Sequence, residues 1–286
     1  MEDKIESFRK YLELSKSKAT VKSYMHTINK FIEYMHSKGK DIEDTTVHDV
    51  VEYLSQFSPR YAHRQAYALK LFFEYIGMNQ LAVQIPTPKY TTTLPEWIEK
   101  EELMSGIEIL KEIADARDDL IGYRNLVAIW LAYEAALRIG ELEAMNREDI
   151  NLEKKEVLVH REKTKGGEIE DHLVPISDEL AQYLAKYLSK RQDNEPALIV
   201  CGDPPARCSR ESIRQIFKQF ARLIDKPHLK FHSLRHSRLT HLAIEGVDVA
   251  TLAKLAHHKN PQSTLIYIHL SSDYLRKKLY EKNKIQ

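Results

Sequence analysis

Apolar residues recur at intervals of three and four through most of this chain, which is the spacing of an amphipathic helix. In the first third, one such stripe ends before Gly39 and another before Gly77, and shorter helices are expected near residues 2–14 and 46–56. This part of the chain is therefore predicted to form a module of four helices. The first stripe consists of Val21, Tyr24, Ile28, Phe31, Ile32 and Met35, and the second of Tyr67, Leu71 and Tyr75.

The rest of the chain repeats this helical spacing. Arg138-Ile-Gly140 is a turn signal, after which another helix is expected. A short basic helix is also expected at the end, from Asp273 to Tyr280. This larger part is therefore predicted to be rich in helix as well. Its other predicted helices lie near residues 99–114, 120–136 and 210–224.

One segment predicts a β-hairpin instead. Val157 to Lys163 and Ile169 to Ile176 flank a Gly166-Gly167 pair, which readily supplies the positive φ angles of a two-residue turn. A turn centred on these glycines pairs residue 157 with 176 and residue 161 with 172. Lys163 and Lys165 then lie on the same face of the hairpin, so alternation alone does not choose between them as a functional lysine.

A proline-rich stretch divides the chain in two. Between Ile85 and Pro95, three prolines and a run of threonines stop helix formation and favour extended chain. At 286 residues, with 43% hydrophobic side chains, the chain exceeds the usual single-domain size and can build two cores. We therefore expect a first domain over residues 1–85, a linker over 86–95 and a second domain over 96–286.

Charge is unevenly distributed, although the totals of 43 Lys+Arg and 42 Asp+Glu almost cancel. The net charge is +2 over residues 1–94, −10 over residues 95–200 and +9 over residues 201–286. The positive last third favours contact with an anionic partner, while the acidic middle is typical of a solvated outer surface.

The cysteines and histidines argue for a reducing location and against a zinc site. Cys201 and Cys208 stand around Gly-Asp-Pro-Pro, and the sequence shows neither a signal peptide nor an apolar span of 18 residues. A reducing cytoplasm is therefore the expected location. His257 and His258 are adjacent, but no Cys or His stands at ligand spacing near them, so no metal is expected there.

The last third groups bases, cations and a phenol in a way that suits attack on a phosphate. A helix is expected from about Ser233 to Glu245, and on it Arg235 shares a face with Leu239 and Leu242. His232 precedes that arginine by one turn. An inward guanidinium keeps its charge and needs an anion beside it, and phosphate fits its planar fork. Taken alone, the pair would also fit a helix start with a salt-bridged arginine.

A second cluster follows in the chain. Asn260-Pro261 has the pattern of a helix N-cap followed by proline at the first helical position. His258 is then placed just before this helix and Tyr267 about two turns inside it, so the two side chains can converge on one site. By itself, Tyr267 is one of 15 tyrosines and would fit ordinary amphipathic packing.

The order of these residues resembles the tyrosine recombinase (phage integrase) family. In that family an Arg, a hairpin Lys, a His-x-x-Arg, a His or Trp, and a nucleophilic Tyr follow one another along the chain. Here the first arginine is Arg138, within Ala-Ala-Leu-Arg-Ile-Gly-Glu-Leu, and the second is Arg235, within His-Ser-Leu-Arg-His. Leu-Ala-His-His258 precedes Ile-Tyr267 by the family's interval of nine residues.

Two positions depart from the family pattern. Gly140 stands where Ser is common, and His257 replaces the usual Gly before the family's histidine. Neither departure removes a catalytic side chain, although His257 could crowd the loop before the nucleophile. The resemblance covers nearly the whole chain, whose length is most similar to that of the compact cellular Xer recombinases.

The resemblance implies a fold, a partner and an assembly. The fold would be mainly α, with an N-terminal four-helix SAM-like module and an α-rich catalytic domain that carries a small antiparallel hairpin. The first module would grip the major groove of double-stranded DNA at specific sites, where phosphate contacts position it and base contacts give specificity. The C-terminal helix would dock on a neighbouring subunit of a homotetramer on two sites, whereas a cap on its own core is the alternative.

The resemblance also implies a chemistry without metal or nucleotide cofactor. A phosphodiester resists attack because it is anionic, and the transition state gathers more charge on its oxygens, which the two arginines and His258 would bind. A phenol has an ordinary pKa of about 10, so it needs the arginine field, or His232 as general base, to lose its proton. The predicted catalytic residues are Arg138, Lys163, His232, Arg235, His258 and Tyr267.

The hairpin lysine would protonate the departing 5′ oxygen and leave a 3′-phosphotyrosyl bond. Counted from the hairpin base at Val157, Lys163 occupies the family's position. Lys165 is held in reserve, because the turn would project farther than usual by about a dipeptide on each side.

The favoured function is therefore a site-specific DNA recombinase that resolves chromosome dimers at a short palindrome-like site. Its rivals are a type IB topoisomerase-like enzyme, which uses similar chemistry, and the integrase of a mobile element. A noncatalytic architectural protein that kept the fold is a further alternative, but the full set of side chains argues against it.

Overall fold

Helices dominate both parts of the molecule. The computed structural model describes residues 2–91, 94–160, 171–257 and 262–283. By its internal contacts the chain separates into two compact units, and the division along the chain falls between Thr93 and Leu94. Both units are mainly helical and the second adds short antiparallel strands, so the predicted fold class is confirmed.

The helices of the first unit begin at clear sequence signals. The side chain of Ser17 caps α2, Thr46 and Asp49 form a capping box at the start of α3, and Pro59 lies in the first turn of α4. A short fifth helix follows the four that were predicted. These helices are α1 (Glu2–Ser15), α2 (Lys18–Ser37), α3 (Val47–Ser55), α4 (Pro59–Tyr75) and α5 (Asn79–Gln84).

The first unit has its own aromatic core. Phe8, Phe31, Phe72 and Phe73 are fully buried in it, and their ring centroids lie 5.2–5.9 Å apart in edge-on or tilted contacts. Every residue of the first predicted stripe is buried except Tyr24, which lines a surface groove instead. The stripe therefore marks the inward face of α2.

The second unit is built around an apolar helix. Helix α7 (Leu120–Glu134) is buried without interruption from Leu126 to Tyr133, which requires neighbours on all sides. None of the helices in the described part of the chain is long and apolar enough to cross a membrane. The other helices of this unit are α6 (Lys100–Arg117), α8 (Ile139–Ala144), α9 (Asp178–Ser189), α10 (Arg210–Leu223), α11 (His232–Ile244), α12 (Val249–Leu255) and α13 (Gln262–Asn283).

The C-terminal helix is longer than predicted. The expectation of a separate helix from Asp273 to Tyr280 was wrong, because α13 runs unbroken from Gln262 to Asn283 and no Gly or Pro interrupts it. Its first half packs on α11 and α12. The predicted cap at Asn260-Pro261 lies outside the described residues.

The predicted hairpin forms, but its register differs. Strand β1 (Ile150–Asn151) pairs with β2 (Glu156–Val159), which pairs in turn with β3 (His172–Pro175). Val157 faces Val174, not residue 176, and Val159 faces His172. A shift of two residues keeps each side chain on the same face, so alternation could not detect it. The glycine turn, Lys163 and Lys165 lie outside the described residues.

A second, unpredicted hairpin carries a disulfide. Strands β4 (Val200–Cys201) and β5 (Ala206–Arg207) pair antiparallel, and Cys201 is bonded to Cys208. The reducing location expected from the sequence favours free thiols instead. The Gly-Asp-Pro-Pro turn brings the two Cα atoms to 5.0 Å, which is within the range that a disulfide spans.

Reduction of this disulfide is expected to lower the thermal stability of the second unit. Closing a loop with a sequence separation of 7 contributes about 2–3 kcal/mol, or roughly 5–10 °C in the Tm of a unit of this size. Calorimetry with and without a phosphine reductant measures the change, and thiol titration confirms the reduction. An unchanged Tm with both thiols titratable would show that the bond adds no stability.

Candidate active site

Arg235 is the buried centre of the site. It lies in the first turn of α11, and only 1% of its surface is exposed, so it points inward as predicted. Its Nη1 donates to the carbonyl of Ala136 at 2.6 Å, and its Nη2 donates to the carbonyl of Ala256. Burial and the charge of Arg138 lower the pKa of Arg235 to about 10, so the guanidinium keeps its charge at neutral pH.

Glu141 links the two predicted phosphate ligands. Arg138 is the N-cap of α8, and Glu141 lies three residues later. This buried carboxylate accepts from the amide and from Nη1 of Arg138, both at 2.7 Å, and lies 4.0 Å from Nη1 of Arg235. Burial raises its pKa, but the hydrogen bonds and charge of Arg138 outweigh burial and hold the pKa below its ordinary value. One carboxylate therefore faces two guanidinium groups.

The carbonyl of Ala256 is a second point that both arginines share. Arg138 donates to it through Nη2 at 3.0 Å, beside the bond from Arg235. These two bonds fix the end of α12, immediately before His257 and His258 in the chain. Arg138 is 32% exposed, so its guanidinium also has an outward face that can meet an anion.

Tyr267 is buried against α11. Only 2% of its surface is exposed, and its hydroxyl lies 2.9 Å from Nδ1 of His236. Burial raises the pKa of Tyr267, and the positive charges of Arg235 and Arg138 offset only part of that rise. The arginine charges thus favour phenolate, as expected, but burial outweighs them in this structure.

His232 and His236 form a pair of imidazoles on one face of α11. Their ring centroids are 4.7 Å apart. Solvent reaches His232, but the protein packed around it and the charges of Arg235 and Arg138 lower its pKa to about 4. The ring is thus neutral at pH 7 and can accept a proton. The predicted general base is close to the site, but among the described residues it is His236 whose imidazole contacts the phenol.

Four of the six predicted side chains lie in the described part of the chain. Helices α8, α11 and α13 bring them to the end of α12, close enough for the charges of Arg138 and Arg235 to act on both His232 and Tyr267. Lys163 and His258 fall outside the described residues. Within the described ranges, no group of three or more His, Cys, Asp or Glu side chains could hold a metal ion.

Two contributors were absent from the sequence prediction. Glu141 follows Arg138 at the interval of a capping box, a signal that was available. His236 follows His232 by one helical turn and therefore shares its face. Both could have been found by asking which neighbours the predicted helices place beside the arginines.

The first unit carries a polar groove between α2 and α4. It presents hydroxyls, a guanidinium and aromatic rings, the groups that contact base edges and phosphates in nucleic acids. Tyr67 is 56% exposed there. The groove is lined by Ala19, Thr20, Ser23, Tyr24, His63, Arg64 and Tyr67.

Comparison with known families accounts for both units. Residues 5–75 match the N-terminal SAM-like domain of phage integrases, and residues 96–273, more than half of the chain, match the phage integrase family itself. The chain belongs to the phage integrase family. The resemblance to the tyrosine recombinase family is thus confirmed, and the chain is a tyrosine-type site-specific DNA recombinase.

Relatives of this recombinase match it over nearly its whole length. It is 31% identical to the tyrosine recombinase XerA of Pyrococcus horikoshii, over 99% of this chain and 94% of that protein. It is 27% identical to the tyrosine recombinase XerC of Bacillus pumilus, over 94% and 92%. In fold it is similar to XerH bound to palindromic difH in a post-cleavage complex, with a TM-score of 0.73 at 18% identity, over 91% of this chain and 78% of that one.

Glu141→Gln is expected to destabilise the recombinase by about 3 kcal/mol, because it removes the buried charge that faces the guanidinium groups of Arg138 and of the buried Arg235. Urea unfolding of the full chain measures this loss. Glu143→Gln is the matched control on the same helix, since Glu143 pairs with Arg210 at 2.6 Å near the surface. The control is expected to lose less than about 1 kcal/mol. Equal losses in the two variants would contradict the role given to Glu141.

Proposed function

We propose that this recombinase cuts and rejoins double-stranded DNA through a 3′-phosphotyrosyl intermediate and resolves chromosome dimers at a short palindrome-like site. The observation that carries the proposal is the placement of Tyr267 in the electrostatic field of two guanidinium groups, Arg138 and Arg235. A phenol and two fixed cations are the nucleophile and the oxyanion ligands that attack on a phosphodiester needs.

The two arginines bind the nonbridging phosphate oxygens, and His258 adds a hydrogen bond. The hydroxyl oxygen of Tyr267 attacks phosphorus as its proton passes to an imidazole, with His232 as the proposed base and His236 beside it. The bond from phosphorus to the 5′ oxygen breaks, and Lys163, or Lys165 in reserve, protonates that oxygen. A 5′ hydroxyl from a second strand then attacks the phosphotyrosyl bond and releases the phenol.

DNA binding must first uncover the site. Tyr267 and Arg235 are 2% and 1% exposed, so a phosphodiester does not reach either of them in this arrangement. Helix α13 carries the tyrosine and packs on α11. We infer that this is a resting state and that DNA entry shifts the first half of α13 relative to α11.

The proposed partners are double-stranded DNA and further copies of this chain. Residues 1–85 form the proposed core-binding domain, 86–95 the linker and 96–286 the catalytic domain, and the groove between α2 and α4 would face the major groove. On the second half of α13, Leu275, Leu279 and Tyr280 are all more than 45% exposed. These exposed side chains support a tail that docks on a neighbour in a homotetramer. The proposed location is the cytoplasm, with the chromosome.

The relatives support chromosome-dimer resolution over integration of a mobile element. XerA and XerC match along almost their full length, and the DNA in the XerH complex is palindromic. The fold is also similar to that of the Tn1549 transposon integrase, with a TM-score of 0.71 at 16% identity. Sequencing the genomic fragments that the protein binds separates the two functions: one shared palindromic site supports resolution, whereas mobile-element ends support integration.

Tyr267→Phe is expected to keep DNA binding and to abolish the covalent complex, because only the attacking oxygen is lost while the ring still packs. A denaturing gel of nicked site DNA incubated with the variant measures the adduct. Tyr274→Phe is the control on the same helix and should form adduct normally. A denaturant-resistant adduct with Tyr267→Phe would remove this residue as the nucleophile.

Arg64→Ala is expected to reduce the preference for site DNA over unrelated DNA by roughly tenfold or more, as the loss of one base contact does. Competition binding at fixed salt measures the ratio of the two affinities. Arg9→Ala is the matched control, because Arg9 pairs with Glu13 at 3.3 Å on α1. An equal fall in affinity for both DNAs would mean that Arg64 contacts only the backbone.

A further inference from the structure

His172 and His257 face each other from two distant segments of the chain. Their Nε2 atoms are 2.5 Å apart, and their ring planes meet at 71°. His172 lies in β3, opposite Val159 of β2, and His257 follows the end of α12. The contact therefore joins strand β3 to the end of α12.

His257 also has an unusual backbone conformation. Its φ is +48°, in the left-handed region that glycine adopts freely and residues with a β-carbon disfavour. The family pattern has Gly at this position. His257 follows the C-cap of α12, and its amide donates to the carbonyl of Lys254, so the left-handed residue ends this helix. The imidazole of His172 then contacts the side chain that stands where glycine is usual.

The pair is suited to hydrogen bonding between neutral rings. Burial is the main cause that lowers the pKa of both histidines, that of His257 to about 4, and His172 lowers it further. At neutral pH one ring can donate its Nε2–H while the other accepts through its lone pair. Two imidazoles without a third ligand make a poor metal site, and within the described ranges no third ligand stands near.

We propose that the His172–His257 hydrogen bond is a positioning contact that holds strand β3 against the end of α12 and so keeps Arg138 and Arg235, which donate to the carbonyl of Ala256, aligned for one phosphate. The carbonyl before His257 is already held by Arg138 and Arg235. The contact thus extends the arginine network to the hairpin, and this role rests on the proposed function.

A double-mutant cycle tests the coupling. His172→Phe keeps a ring without the hydrogen bond, and His257→Gly removes the side chain and relieves the backbone. Single-turnover adduct formation on nicked site DNA, at saturating enzyme, is expected to slow by roughly tenfold in each single variant. The double variant is expected to be no slower than the slower single one.

Conservative variants distinguish positioning from folding. His172→Gln places an amide near the former Nε2 and is expected to recover most of the rate. His257→Gly is expected to leave the Tm within a few degrees of wild type, because the lost hydrogen bond and the relieved strain oppose each other. A slow variant with an unchanged Tm is then misaligned and not unfolded.

Other results of these measurements would contradict either the positioning role of the histidine pair or the proposed function. If the double variant is slower by the product of the two single effects, or if the single variants cleave at the wild-type rate, the pair has no positioning role. If His172→Gln forms adduct no faster than His172→Phe, the pair likewise has no positioning role. If the wild-type chain forms no adduct on DNA that it binds specifically, the proposed function itself fails.

Discussion

The charge cluster of Arg138, Glu141 and Arg235 is the constraint on which the second unit depends. Among the described residues two guanidinium groups share one carboxylate, so this cluster carries one excess positive charge, and Arg235 within it is 1% exposed. Removing charges from water is costly unless each finds a partner. The carbonyls of Ala136 and Ala256 also stabilise these charges, because they accept hydrogen bonds from the guanidinium groups. The remaining excess is what an entering phosphate would neutralise.

The same charges determine the local backbone. Ala136 has a φ of +50°, which is unfavourable for a residue with a β-carbon, and its carbonyl accepts from Arg235. Ala256 ends α12 with its carbonyl between both arginines. Two charge-assisted hydrogen bonds thus join segments that are 99 and 118 residues apart in the chain. Helix α13 then packs over this network, which explains why Tyr267 and Arg235 are buried together.

Periodicity and motif order predicted much of this architecture, but they did not predict which strands, cysteines and histidines pair in three dimensions. The inward Arg235 follows from its face on α11, and the hairpin follows from alternation and its glycines. The predicted register of the hairpin was wrong, because a shift of two residues leaves the alternation of Val157 and Val159 unchanged. The disulfide between Cys201 and Cys208 was not predicted, because the two cysteines were interpreted through the expected reducing location. Nothing near His172 in the sequence indicates His257 as its partner, since 85 residues separate them.

The excess positive charge also explains how the site could stay inactive until DNA arrives. Without a phosphate, burial and, after it, the charges of Arg235 and Arg138 hold the pKa of His232 at about 4, which makes the imidazole a weak base. Burial meanwhile keeps the proton on Tyr267. An anion bound to the guanidinium groups would cancel their repulsion of a protonated imidazole and remove that part of the decrease in the pKa of His232, while the part that burial causes would remain. Substrate binding would therefore strengthen the base at the moment when the phenol must lose its proton, and one set of charges would both bind the phosphate and switch on the attack.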